Sequence, residues 1–141
     1  MNSQPGKGRT ILLVEDDEIV RRAVQMVLEW EGYQVQCAGN GQEALDVLRA
    51  GSHPSLILLD VMMPVLDGEQ FRKEQLRDPD LASIPVIVVS AASFAEAVSA
   101  AHHIHKPFEV QELLAAIHEQ VPPAVSPQAV GEGDLSFRGK R

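Results

Sequence analysis

Leu56-Ile57-Leu58-Leu59-Asp60-Val61-Met62-Met63-Pro64, followed by Asp67-Gly68, decides the fold of this 141-residue chain. Four apolar residues in a row show no alternation, which is the pattern of a parallel strand buried on both faces. The strand runs into a carboxylate, and such a group is costly to bury unless a cation meets it. Pro64 and the Asp-Gly pair then turn the chain and begin a helix. The C-terminal edge of a parallel sheet is where open α/β folds place their chemistry. Asp60 is therefore the residue to explain.

Working outward, Thr10 to Val14 is a second fully apolar strand, and Pro85 to Ser90 a third. Tyr33 to Ala38 alternates, with Val35 and Cys37 opposed to Gln34 and Gln36, which suits a half-exposed edge. His103 to His105 makes a brief last strand. Between the strands lie helical stretches. Asp17 caps a helix running to about Glu31, with Ile19, Ala23, Met26, Val27 and Trp30 on one stripe. Asn40-Gly41 opens the next, with Ala44, Leu45 and Leu48 inward. Gly68 to Arg77 is polar except for Phe71 and Leu76. A short Ala/Ser-rich helix covers roughly Phe94 to Ala101. Glu109 to Val121 closes the domain, with Val110, Leu113, Leu114, Ile117 and Val121 at helical spacing.

Strands alternating with helices predict an α/β doubly wound, five-stranded parallel sheet with helices on both faces. The order 2-1-3-4-5 follows, since the fully apolar strands belong in the middle. The expected organisation is a flexible tail over 1–9, one domain over 10–121, and a disordered tail over 122–141. The Pro-Pro-Ala-Val-Ser-Pro and Gly-Glu-Gly runs of that last segment read as too short for an effector domain.

Composition narrows the function. Hydrophobic residues make up 45% and charged residues 23%, as in ordinary globular chains. A net charge of −8 argues against nucleic-acid or anionic-membrane binding by the folded body. One cysteine, Cys37, rules out an internal disulfide framework and suits a reducing cytoplasm. No apolar run approaches the ~20 residues that span a bilayer, and the first residues lack a signal-peptide core. A cytoplasmic protein without membrane insertion is expected.

The strand ends converge on one edge of such a sheet. They bring Glu15, Asp16 and Asp17 from the first strand, Asp60 from the third, Ser90 from the fourth and Lys106 from the fifth. Crowded carboxylates repel unless a cation intervenes. An oxygen-only acidic cluster suits Mg²⁺, which prefers a few carboxylates plus a phosphate oxygen. A hydroxyl and an ammonium opposite would hold the other oxygens of a phosphoryl group. The pattern points to phosphoryl transfer onto a carboxylate.

Over residues 10–121 the chain resembles the receiver domain of two-component response regulators, of the single-domain CheY-like kind. The likeness rests on Val14-Glu15-Asp16-Asp17, Leu59-Asp60-Val61-Met62-Met63-Pro64 with Asp67-Gly68, Val89-Ser90-Ala91 and Lys106-Pro107-Phe108. Gly32-Tyr33 and Asn40-Gly41-Gln42-Glu43-Ala44-Leu45 add lesser matches. The resemblance implies a flavodoxin-like fold and a stand-alone phosphoacceptor rather than an enzyme. Asp60 would take a phosphoryl group from a histidine kinase or phosphotransfer protein. Mg²⁺ would be held by Asp16 directly, by Glu15 through water, by Asp60 and by the backbone carbonyl of Met62. Ser90 and Lys106 would bind phosphoryl oxygens, with Lys106-Pro107 often cis in the family. A downstream target protein, or an onward relay, would read the result.

Two departures from the family pattern fall on its output face. The stretch between Ser90 and Lys106 is short by a helical turn or more, which implies a shortened fourth helix. His103 stands where the family usually has an aromatic, three residues before the lysine, and is the candidate switch residue. Oligomeric state is left open by these departures.

Other readings carry less weight. A phosphorylation-independent interaction module with a degenerate output face is the main alternative. A Mg²⁺-dependent phosphohydrolase would commonly place a second Asp two residues after Asp60, where Met62 stands. Gly39-Asn40-Gly41-Gln42-Glu43-Ala44 matches a loose dinucleotide fingerprint but follows the edge strand, so a helix start explains it better. His103 and His105 share a strand face without an obvious third zinc ligand.

Overall fold

The computed structural model describes residues 9–60, 68–90 and 100–121. Strands β1 (Thr10–Val14), β2 (Gln34–Ala38), β3 (Leu56–Asp60), β4 (Val86–Ser90) and β5 (His102–His105) form one sheet in the order β2-β1-β3-β4-β5. Every pairing is parallel. The described helices are α1 (Glu18–Trp30), α2 (Gly41–Arg49), α3 (Gly68–Arg77) and α4 (Val110–Gln120). The strand order is the expected one, for the expected reason. The uniformly apolar strands β1, β3 and β4 lie inside, while β2 forms an edge with Gln34 and Gln36 exposed.

The helix expected over Phe94 to Ala101 lies, up to residue 99, outside the described residues. Ala100 and Ala101 are not helical, and β5 begins at His102, one residue earlier than expected. The expected tails, apart from Arg9, also lie outside the described residues. Among the described helices none is long and apolar enough to cross a membrane.

Alternation along the strands builds two cores. Leu12, Val14, Ile57, Leu59, Val86 and Val88 pack on one face with Ala44, Leu45 and Leu48 of α2 and Phe71 of α3. Ile11, Leu13, Leu56, Leu58, Ile87 and Val89 pack on the other with Leu28 of α1 and Leu113, Leu114 and Ile117 of α4. The doubly wound arrangement follows directly from these two faces.

The helix ends are chemically specified. Asp17 Oδ1 accepts from the backbone N–H groups of Ile19 and Val20 at 2.9 and 3.1 Å, capping α1. Asn40 Oδ1 accepts from Glu43 N at 2.8 Å, and Glu43 Oε1 accepts from Gly39 N at 2.7 Å, a capping box at the start of α2. That geometry confirms a helix start in place of the dinucleotide fingerprint. Gly32 and Gly51, with φ of 99° and 112°, end α1 and α2 in left-handed turns. After α1, Gly32 N bonds to Glu29 O and Tyr33 N to Leu28 O, the 5→2 and 6→1 pair of a Schellman motif.

The expected apolar stripes of α1 and α4 are corrected in part, and α3 adds a buried polar residue. On α1 the stripe Ile19, Met26 and Trp30 faces solvent, at 81%, 69% and 89% exposure. Of the expected stripe Val27 does turn inward, packing with Val24 and Leu28 against the core. On α3, Leu76 is exposed, and Gln75 is the fully buried neighbour of Phe71. Gln75 Nε2 donates to the carbonyls of Leu81 and Ile84 at 2.8 and 3.0 Å, tying α3 to the chain entering β4. On α4, Val110, the first residue of the helix, is exposed.

Candidate functional site

Register brings the carboxylates together. Val14 of β1 pairs with Leu59 of β3, so the next residues, Glu15 and Asp60, leave the sheet side by side. Asp60 is itself the last residue of β3, opposite Val89 of β4. Glu15 and Asp60 are buried, at 6% and 5% exposure, whereas Asp16 is exposed. One carboxylate oxygen from each of the three lies within 4.8 Å of the others.

Lys106 answers this negative charge. Its Nζ lies 3.6 Å from Glu15 Oε1 and 3.6 Å from Asp60 Oδ2. The lysine follows β5 directly, and its peptide bond to Pro107 is cis. Beneath the polar groups the site opens into a cleft whose walls include Val20 and Val24 of α1, Phe108 and Leu113. Apolar walls keep the local dielectric low, which strengthens each charge interaction at the mouth.

The electrostatics are strained without a cation. Burial, then the neighbouring Asp60 charge, raises the Glu15 carboxyl from 4.5 to about 7, against the pull of the Asp17 N–H and Lys106. The N–H of Asp17 donates to Glu15 Oε2 at 3.2 Å. Among the described residues, the Lys106 ammonium faces the three clustered carboxylates of Glu15, Asp16 and Asp60. Three carboxylates with no nitrogen or sulfur donor fit a hard divalent cation of the Mg²⁺ type, and Glu15, Asp16 and Asp60 are the residues that would hold it.

The other expected site residues are placed less fully. Ser90 ends β4, with its Cα opposite that of His105. Met62, whose carbonyl was the remaining expected ligand, lies outside the described residues. His103 is half-buried on β5 opposite Val88, on the sheet face away from Ile104. No group of three potential ligands that includes a histidine forms among the described residues.

One contributor escaped the reading of the sequence. Arg21 Nη1 donates to the backbone carbonyl of Glu15 at 2.8 Å, while Glu15 N donates to Ala38 O at 3.0 Å. Both sides of the Glu15 backbone are thereby fixed, from α1 and from the end of β2. Nothing in the motif singles out Arg21, because the bond it makes is to main chain.

Comparison with known proteins agrees with this geometry. The response regulator receiver domain matches over residues 11–118. The transcriptional regulatory protein YkoG of Bacillus subtilis is 43% identical over 113 residues, which cover 76% of this chain and 48% of that protein. The chain spans about half the length of the curated relatives it matches. Among solved structures, the receiver domain of a histidine kinase from Syntrophus aciditrophicus superposes with a TM-score of 0.76 at 29% identity. That match covers 92% of this chain and 99% of the other. The Thermotoga maritima response regulator TrrA, solved with Mg²⁺ and BeF, gives a TM-score of 0.71 at 26% identity, covering 80% and 99%.

Proposed function

Because the chain belongs to the response regulator receiver domain family, we propose that it is a phosphorylation-controlled signalling domain with Asp60 as the phosphoacceptor. The observation that carries this reading is the juxtaposition of Glu15, Asp16 and Asp60 within 4.8 Å, with Lys106 Nζ 3.6 Å from both buried members. The domain is a signalling module and turns over no substrate.

In the reaction proposed, a carboxylate oxygen of Asp60 attacks the phosphorus of a phosphohistidine on a histidine kinase or phosphotransfer protein. The P–N bond breaks as the new P–O bond forms, and the imidazole leaves with the bonding pair. Bound Mg²⁺ supplies charge neutralisation for the incoming phosphoryl oxygens. Lys106 is already aimed at Asp60 and moves little to pair with one of those oxygens. Ser90, at the neighbouring strand end, donates its hydroxyl to another. Arg21 keeps the Glu15 main chain fixed while the charges around it change.

Readout is assigned to the β4–β5 side, where Ser90 and His103 lie on adjacent strands. His103 takes the place of the family's aromatic switch and carries the phosphorylation signal to a downstream protein. Loss of phosphorylation-dependent partner binding in His103→Ala supports this role, and unchanged binding refutes it.

Incubation with acetyl phosphate and Mg²⁺, followed by intact mass, tests the main reading. One phosphoryl adduct, lost with EDTA and in Asp60→Asn, is expected. Absence of an adduct in the unsubstituted protein would favour an interaction module that works without phosphorylation.

A further inference from the structure

Asp16 is the exposed member of the acidic cluster, so burial does not hold its carboxylate beside Glu15 and Asp60. Its backbone is held instead. Peptide units are planar, so fixing the units on either side of a residue sets the direction of its side chain. The unit before Asp16 contains the Glu15 carbonyl, which accepts from Arg21 Nη1 at 2.8 Å. The unit after it contains the Asp17 N–H, which donates to Glu15 Oε2 at 3.2 Å. Both planes that flank Asp16 are therefore fixed.

Arg21 makes the first of these bonds from a firm base. It is the fourth residue of α1, half-buried, and its own N–H bonds to Asp17 O at 2.8 Å. Asp17 in turn caps the helix through the N–H groups of Ile19 and Val20. The guanidinium also lies beside the exit from β2, where a Cβ built on Gly39 would sit 3.7 Å from Arg21 Nη1. The neighbouring Ala38 carbonyl accepts from Glu15 N at 3.0 Å. One side chain thus sits where the end of β1, the first turn of α1 and the exit from β2 meet.

Charge alone does not account for this contact. A guanidinium next to an acidic metal site repels a divalent cation, so removing the charge by itself would tighten Mg²⁺. Removing the hydrogen bond frees the Glu15–Asp16 peptide, and with it the direction of the Asp16 carboxylate, which would weaken Mg²⁺. The two effects have opposite signs, and the sign of the change in affinity decides between them. Groups that orient a metal's ligands typically govern about ten- to hundredfold in affinity.

We propose that Arg21 is a positioning residue for Mg²⁺, setting the affinity of the Glu15, Asp16 and Asp60 site through the Glu15–Asp16 peptide. It acts through main chain and not on the phosphoryl group. The inference rests on the reading of these three carboxylates as the residues that hold the ion.

Calorimetric titration of the full chain with Mg²⁺ tests it, using Arg21→Met, Arg21→Gln and Arg22→Met. Arg22 is exposed and pairs with Glu18, so its variant removes the same charge from the same helix without touching Glu15. Both Arg21 variants are expected to bind Mg²⁺ about tenfold more weakly, and Arg22→Met as tightly as the parent or tighter. With acetyl phosphate, half-saturating Mg²⁺ should rise by the same factor in the Arg21 variants, and their shortfall in adduct should narrow as Mg²⁺ is raised. Circular dichroism identifies the variants that fold, and either Arg21 variant suffices. Equal or tighter binding in it would overturn the inference while the parent's own binding leaves the reading of the site standing. Equal weakening in Arg22→Met would overturn it too, since the effect would then belong to the charge of α1. A parent chain that binds no Mg²⁺ would overturn the reading of the site and the inference together.

Discussion

Lys106 Nζ lies 3.6 Å from Asp60 Oδ2, joining the residue after β5 to the last residue of β3 across the intervening strand β4. The same ammonium reaches Glu15, so it tempers the repulsion between two buried carboxylates before any phosphate arrives. On the proposed mechanism it then stabilises charge on the transferring group. Lys106→Ala should slow adduct formation by on the order of 10²-fold, the usual loss for one well-placed donor. The rate of mass gain with acetyl phosphate measures this. An unchanged rate would remove Lys106 from the reaction.

Gln75 should matter to stability and not to phosphorylation. Its buried amide satisfies the carbonyls of Leu81 and Ile84, so Gln75→Leu leaves acceptors without their donors inside the protein. The expected loss is about 2 kcal/mol or more in urea unfolding. A variant as stable as the parent would show that these carbonyls find other partners.

Tyr33 ties the turn after α1 to the end of α4, with its hydroxyl 2.6 Å from the Val121 carbonyl. Burial, with Glu31 nearby, pushes its phenol from 10.0 up to about 12. A folded pKa above the unfolded one means this stabilisation is full below pH 10 and is lost as pH rises toward 12. As the chain's single tyrosine, it can be followed by phenolate absorbance. Ionisation should come well above pH 10 and coincide with unfolding. Ionisation near 10 with native circular dichroism would contradict the burial described.

Sheet order and the acidic cluster were legible because both rest on local pattern. Leu56–Leu59 and Ile11–Val14 leave no polar face to expose, and Glu15 and Asp60 follow directly on those strands. The inward face of α1 was not legible. The expected stripe of Ile19, Ala23, Met26, Val27 and Trp30 and the inward set of Val24, Val27 and Leu28 share Val27 and fit helical periodicity equally well. The choice is made by tertiary packing, where Leu28 and Tyr33 close against Ile117 and Val121. Gln75 was overlooked for a related reason. Its burial depends on carbonyls in the turn before β4, and no periodic pattern records them. Arg21 acts on a backbone carbonyl and so leaves no mark in the motif around Glu15.

The central claim, phosphorylation of Asp60, is tested most directly by borohydride reduction after treatment with acetyl phosphate and Mg²⁺. Borohydride reduces an aspartyl phosphate to homoserine, which peptide mass spectrometry locates by position. The account predicts homoserine at position 60, dependent on both reagents. A phosphoryl adduct located elsewhere, with residue 60 still aspartate after reduction, would contradict it.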